Sequence, residues 1–166
     1  MITIKLTETE IEIAKLIAEH RYSTNRADGV PNAKMGNQAN DFTDLNGFCG
    51  ELAFCKAMNL YPDFRIVPGG AGLTDAVLHD GKSVDVKTSK HPKANLIARK
   101  IPDDVDLFVL VRGEIPEFDI LGYASRAELL ALPKKDLGYG LTHFMSADDL
   151  HPIEDLLWAN AIEALL

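Results

Sequence analysis

The chain has 166 residues, 46 % of them hydrophobic, and a formal net charge of −8. That length suits one domain, and the apolar content excludes a disordered chain. No apolar run approaches the roughly 20 residues of a membrane span, and the opening Met-Ile-Thr-Ile-Lys-Leu lacks the apolar core of a secretion signal, which predicts a soluble, cytoplasmic protein without a membrane partner.

Thr7-Glu8-Thr9-Glu10 reads as a capping box. Ile11, Ala14, Leu16, Ile17 and Ala18 continue it as a helical apolar stripe, giving a first helix over 7–21. Residues 23–40 are polar, with Asp28-Gly29 and Val30-Pro31 as breakers, and predict a long loop. A second helix is expected over 43–58, with Leu45, Phe48, Cys49, Leu52 and Cys55 on one face. Gly47, Gly50 and Glu51 lie beside that stripe. A mid-helix glycine costs about 1 kcal/mol relative to alanine, so a strand or a substrate backbone should approach closely there. Cys49 and Cys55, six positions apart on this helix, are too distant to bridge at about 1.5 Å rise per residue. Two reduced core thiols are expected.

The period then changes to two. Residues 73–78 and 82–88 alternate as strands around Asp80-Gly81, a hairpin signal. Residues 107–111, Leu-Phe-Val-Leu-Val, predict a strand covered on both faces. Residues 118–123 should pair with it across a 113–116 turn. Ser125 to Glu128 is another capping box, opening a short helix through Leu132. Residues 139–145 suggest an edge strand. Pro152 suits the start of a last helix, 153–165, with Ile153, Leu156, Leu157 and Ile162 inward and Trp158 in packing. The order predicts an α/β fold, a central mixed sheet flanked by helices. It forms one domain, 1–166, with a core over about 44–123 on which the first and last helices pack.

Charge is unevenly placed. Residues 82–100 hold six Lys or Arg against one Asp, whereas 144–166 hold five acids and no Lys or Arg. A nucleic-acid protein normally presents a basic surface; a basic middle and an acidic tail would present opposite faces, but ordinary solvated lysines give the same pattern, so charge alone does not choose.

The hairpin carries the chemistry. A two-residue Asp80-Gly81 turn would pair 75 with 86 and 76 with 85, mixing Ala76 and Leu78 with Asp85 and Lys87 on one face. A three-residue loop, His79-Asp80-Gly81 with Gly81 left-handed, pairs 75 with 85 and 76 with 84. One face then carries Ala76, Leu78, Val84 and Val86, and the other Asp75, Asp85 and Lys87. A one-residue slip moves a whole face, so the clean alternation selects the second register. Two carboxylates so close are destabilising without a cation or proton between them. Mg²⁺ is the natural cation for oxygen ligands, and Lys87 can steer a water or stabilise phosphate charge.

Gly47-Phe48-Cys49-Gly50-Glu51-Leu52-Ala53-Phe54, Asp75, Asp85-Val86-Lys87, the 107–111 strand and Phe118-Asp119-Ile120-Leu121-Gly122-Tyr123 together resemble the PD-(D/E)XK nuclease superfamily, restriction-endonuclease-like and Holliday-junction-resolvase-like. The resemblance covers roughly 44–123. It implies that Asp75 and Asp85 hold Mg²⁺ or Mn²⁺ with the Val86 carbonyl and Glu51, and that Lys87 orients the attacking water. DNA would be cut to 5′-phosphate and 3′-hydroxyl ends by an endonuclease, structure-selective or junction-resolving and working as a homodimer. A compact chain of this kind fits phage origin and action in the host cytoplasm. Thr74 stands where the family name has Pro, and Asp85 where Glu is usual. Ser89, Lys90 and Lys93 after the motif, and Arg21 and Arg26 with Asn37 and Gln38 around the polar loop, are the candidate nucleic-acid contacts. The competing functions are an inactive nuclease fold serving as a binding or assembly module, and a small-molecule enzyme with a carboxylate pair. No glycine-rich phosphate loop, zinc motif or Ser/His/Asp signature supports the latter.

Overall fold

The computed structural model describes residues 1–29, 40–67, 74–138 and 140–164, with only the backbone of 40–44. Strand β1 is Ile2–Lys5, helix α1 Glu8–Ala27 and helix α2 Asn40–Met58. Strands β2 (Ala76–Val77), β3 (Ser83–Ser89), β4 (Leu96–Ala98), β5 (Leu107–Glu114) and β6 (Glu117–Ser125) follow. Helix α3 (Arg126–Ala131), strands β7 (Lys135–Asp136) and β8 (Leu141–Met145), a 3₁₀ turn over Ala147–Asp149 and helix α4 (Ile153–Glu163) complete the chain.

The architecture is mixed α/β. A five-stranded sheet runs β1-β6-β5-β3-β2, and a three-stranded sheet runs β4-β8-β7. β3 and β5 are parallel, and every other pair is antiparallel. The alternation along β5 explains the layers. Leu107, Val109 and Val111 join Val84, Val86 and Phe118 in a core with Phe48, Leu52 and Phe54 of α2, Ala14 of α1 and Ile153 of α4. Phe108 and Leu110 point the other way, to Leu96, Ala98, Ala124, Leu129 and Met145. All five residues of the apolar run are buried, as a strand covered on both faces requires.

Both capping boxes form, Thr7 with Glu10 and Ser125 with Glu128. α1 runs six residues past the expected end at 21. Polarity alone does not stop a helix, and the first breaker is Asp28-Gly29, where Gly29 takes φ +67°. Of the expected polar loop, 30–39 lies outside the described residues, and Asn37 and Gln38 with it. The start of the 73–78 strand and Tyr139 also lie outside them.

Two further expectations change, and one strand, β1, had none. The Leu141–Met145 strand is not an edge but the middle of the second sheet, between β4 and β7. Those two neighbours have three and two residues, too short to show a period. β1 is a real edge strand, with Ile2 and Ile4 turned inward against β6. Trp158 is 69 % exposed and Ile162 is exposed too, because the inward positions of α4 are Ile153, Leu156 and Asn160. Asn160 is a buried staple: its amide donates to the Met58 carbonyl (2.9 Å), and its carbonyl accepts from His79 N–H (2.9 Å). It ties the end of α2 to the hairpin loop.

Among the described residues no helix is long and apolar enough to cross a membrane. Cys49 and Cys55 are free and buried. Burial pushes their thiols up to about 11 and about 12, so both are unreactive core groups.

Candidate active site

The hairpin adopts the three-residue register. Ala76 pairs with Val84 and Val77 with Ser83. Gly81 N–H closes the loop on the Leu78 carbonyl at 3.0 Å, with φ +88°. Ala76, Leu78, Val84 and Val86 are buried in the α2-side core, so Asp85 and Lys87 alternate to the opposite face. The ladder ends at Ala76, and Asp75 is not a strand partner of Asp85. Its N–H donates to the Val84 carbonyl (3.0 Å), and its carboxylate Oδ2 accepts from Val86 N–H (2.6 Å). Asp75 therefore curls over the edge of β3 that opens where the two-residue β2 stops. In a strand a residue's N–H and C=O face the same edge, so the Val86 carbonyl also faces this opening.

Glu51 reaches the same edge from α2. The helix can come this close because Gly50 has no side chain: a Cβ there would stand 2.0 Å from Thr88 Oγ1 and 3.0 Å from Thr88 Cβ. Nothing lies within 4 Å of a Cβ built at Gly47. The close neighbour expected from the glycine pair is thus strand β3, and it acts at Gly50 alone.

Glu51 is mostly enclosed, with 17 % of its side chain exposed. Arg21 Nη1 donates to its Oε2 at 3.2 Å, while Arg21 Nη2 donates to the Asp63 carbonyl at 2.8 Å. The guanidinium lies 4.5 Å over the Phe48 ring. Burial first, then the Asp75 charge, pushes the Glu51 carboxyl up to about 8; Arg21 opposes this and Asp85 adds to it. Burial and Asp85 push Asp75 up to about 6, against the Val86 N–H, Lys87 and Arg21. Three carboxylates thus sit within electrostatic reach of one another around β3: Glu51, Asp75 and Asp85. Asp85 Oδ1 is buried and is held by the Lys87 ammonium as an ion pair.

An all-oxygen set of this kind matches hard divalent cations such as Mg²⁺ or Mn²⁺. The two raised carboxyls are what such an ion would relieve. Among the described residues no three His, Cys, Asp or Glu side chains are arranged to hold a metal ion, so the expected ligands Glu51, Asp75 and Asp85 do not form a ready-made three-carboxylate site.

The expected nucleic-acid contacts divide. Arg21 does not point outward but is engaged with Glu51, because α1 packs against α2. Arg26, five residues on, is exposed and lies over the Tyr22 ring at 5.4 Å. Lys90 and Lys93 are exposed on the loop that leaves β3, downstream of Lys87. Ser89 Oγ accepts from His91 N–H (3.2 Å) and shapes that loop.

Sequence reasoning missed Tyr61-Pro62-Asp63-Phe64-Arg65, which borders the site through Asp63 and Arg21. Its signal was present, two aromatics and an arginine interleaved in an irregular segment after a helix. No family model, curated protein or solved structure matches the chain.

Proposed function

We propose that the chain is a metal-dependent deoxyribonuclease, an endonuclease of the PD-(D/E)XK type on a restriction-endonuclease-like fold. One observation carries this reading: Glu51 and Asp75 meet at an open strand edge with Asp85 near enough to raise both, three acids against the two cations Arg21 and Lys87. A stable protein does not keep such a cluster for packing, since buried like charges cost free energy.

Asp75, Asp85 and the Val86 carbonyl would hold Mg²⁺ or Mn²⁺, with Glu51 direct or through water. Bound there, the ion would polarise the phosphodiester and lower the pKa of a water. Lys87 orients that water and stabilises charge on the phosphate oxygens. Arg21 keeps the Glu51 carboxylate aimed at the edge. Lys90 and Lys93 on the following loop, with Arg26, meet the DNA backbone and offset a net charge of −8. Cutting is structure-selective, and a homodimer suits two-strand cleavage. The site of action is the cytoplasm.

The test is cleavage of plasmid and branched DNA at low salt with Mg²⁺ or Mn²⁺, with Asp85→Ala as control. Cutting that needs the cation and is lost in the variant supports the reading. Metal-bound protein that cuts no DNA sinks it. One observation favours a second reading, an inactive nuclease-fold binding or assembly module: no three described side chains are already arranged around an ion. Calorimetry separates the two, because the module predicts no Mg²⁺ or Mn²⁺ binding at millimolar concentration and no effect of Asp85→Ala.

A further inference from the structure

Residues 59–65, between α2 and the hairpin, wall a groove of about 650 Å³ whose other side is Thr74, Asp75, Val77 and His79. That volume lies within the range of small-ligand sites, and the groove opens onto the candidate active site because Asp75 belongs to both. Tyr61 lines it with 83 % of its surface exposed, the most exposed large apolar side chain among the described residues. The ring is nevertheless braced. Phe64 meets it edge-on at 5.6 Å and 87°, and Phe64 in turn meets Phe48 at 6.2 Å. Phe48 lies under Arg21, which holds Glu51. A row of rings thus leads from the outer wall to the carboxylates.

The polar lining suits a base better than a duplex backbone. Asp63 accepts three hydrogen bonds from the Arg65 guanidinium, at 2.7 to 3.1 Å. Its charge is therefore matched within the protein. A double-stranded backbone needs a row of cations, and among the described residues this groove offers one arginine, Arg65, beside two acids. A braced aromatic ring flanked by apolar walls is what single-stranded nucleic acid stacks on, because every base has a π-face.

We propose that this groove takes one unpaired nucleotide of the DNA substrate, stacked on Tyr61, next to the phosphodiester to be cut. The proposal rests on the nuclease reading for its ligand class and adds a preference for DNA with an unpaired base beside the scissile bond. The probe is a duplex with a single-stranded overhang containing 2-aminopurine, titrated with the full-length protein in EDTA at low salt, where metal-dependent cutting does not proceed. The wild-type protein should quench the overhang fluorescence and bind this DNA more tightly than a blunt duplex. Tyr61→Ala should weaken overhang binding roughly 5- to 150-fold and leave blunt-duplex binding unchanged, and Tyr61→Trp should keep the quench. No quench, equal wild-type affinity for both DNAs, or an equal loss on both in Tyr61→Ala overturns the proposal. Cleavage is scored separately in Mg²⁺. Cutting without a Tyr61-dependent quench removes the groove and leaves the nuclease; a Tyr61-dependent quench without cutting in any cation does the reverse.

Discussion

Arg21 and Glu51 illustrate how much one contact can set. Glu51 on its own is an acid in a low-dielectric corner facing Asp75, and its carboxyl stands at about 8 even with Arg21 attached. Removing the guanidinium takes away the countercharge and leaves the repulsion. Arg21→Ala should therefore move the pH at which metal-dependent cleavage appears upward, and Arg21→Lys should move it less, since an ammonium keeps the charge but not the two-point geometry. A pH–rate profile that does not shift in Arg21→Ala refutes this role. The same variant should lose about 1–3 kcal/mol of stability in urea, because the Asp63 carbonyl and Glu51 both lose a donor. Asp85→Asn predicts the opposite balance. It relieves Asp75 of its neighbouring charge, so metal-free stability at about pH 8 should hold or rise, read by thermal melting in EDTA, while cleavage is lost.

At the scale of elements, the decisive contact is α2 against β3. Thr88 alternates to the helix side with Val84 and Val86, and Gly50 accepts it. Gly50→Ala places a methyl group 2.0 Å from Thr88 Oγ1 and 2.9 Å from Thr88 Cγ2, and a β-branched side chain has little freedom to turn away. The substitution should cost about 1–3 kcal/mol and push Glu51 away from Asp75, lowering Mn²⁺ affinity. Thr88→Ala removes both of the nearest atoms, so the double variant should recover much of the loss. Urea unfolding of the four-member cycle measures that coupling, and strict additivity would show that the two residues do not share the strain. The hairpin acts on the other side of the same edge. Its loop sets the register, and the Asn160 bonds to His79 and Met58 hold the loop to the end of the glutamate-bearing helix.

For the molecule as a whole, the carboxyl cluster makes stability depend on pH and on cations. Glu51 and Asp75 rise from 4.5 and 3.8 to about 8 and about 6 in the metal-free fold. A carboxyl raised on folding binds its proton more tightly folded than unfolded. Its contribution is complete below the unfolded value and is lost as pH climbs through the folded one. The metal-free protein should lose thermal stability between about pH 4 and about pH 8, the Asp75 part complete by about pH 6 and the Glu51 part by about pH 8. Glu128, Asp63 and Asp119 are lowered instead and act in the acid range, below that window. Mg²⁺ replaces the missing protons, so its stabilisation should grow with pH. Thermal melts with EDTA and with Mg²⁺ across that range measure both effects, and a Mg²⁺ increment that is flat with pH contradicts the site.

The parts legible in the sequence are those encoded by short-range pattern. Alternation and a left-handed Gly81 specify the hairpin register, an unbroken apolar run marks β5, and side chains three residues apart cap α1 and α3. Each depends on neighbours a few positions away, whose geometry the backbone dictates. The tertiary structure alone decided which faces meet. Arg21 finds Glu51 across 30 positions and Asn160 finds Met58 across 102. β4 and β7 have too few residues to show a period and exist through their pairing with β8. Periodicity states that a face is buried but not against what, so the inward turn of Arg21, the curl of Asp75 over the strand edge and the groove beside Tyr61 follow only from how the layers pack.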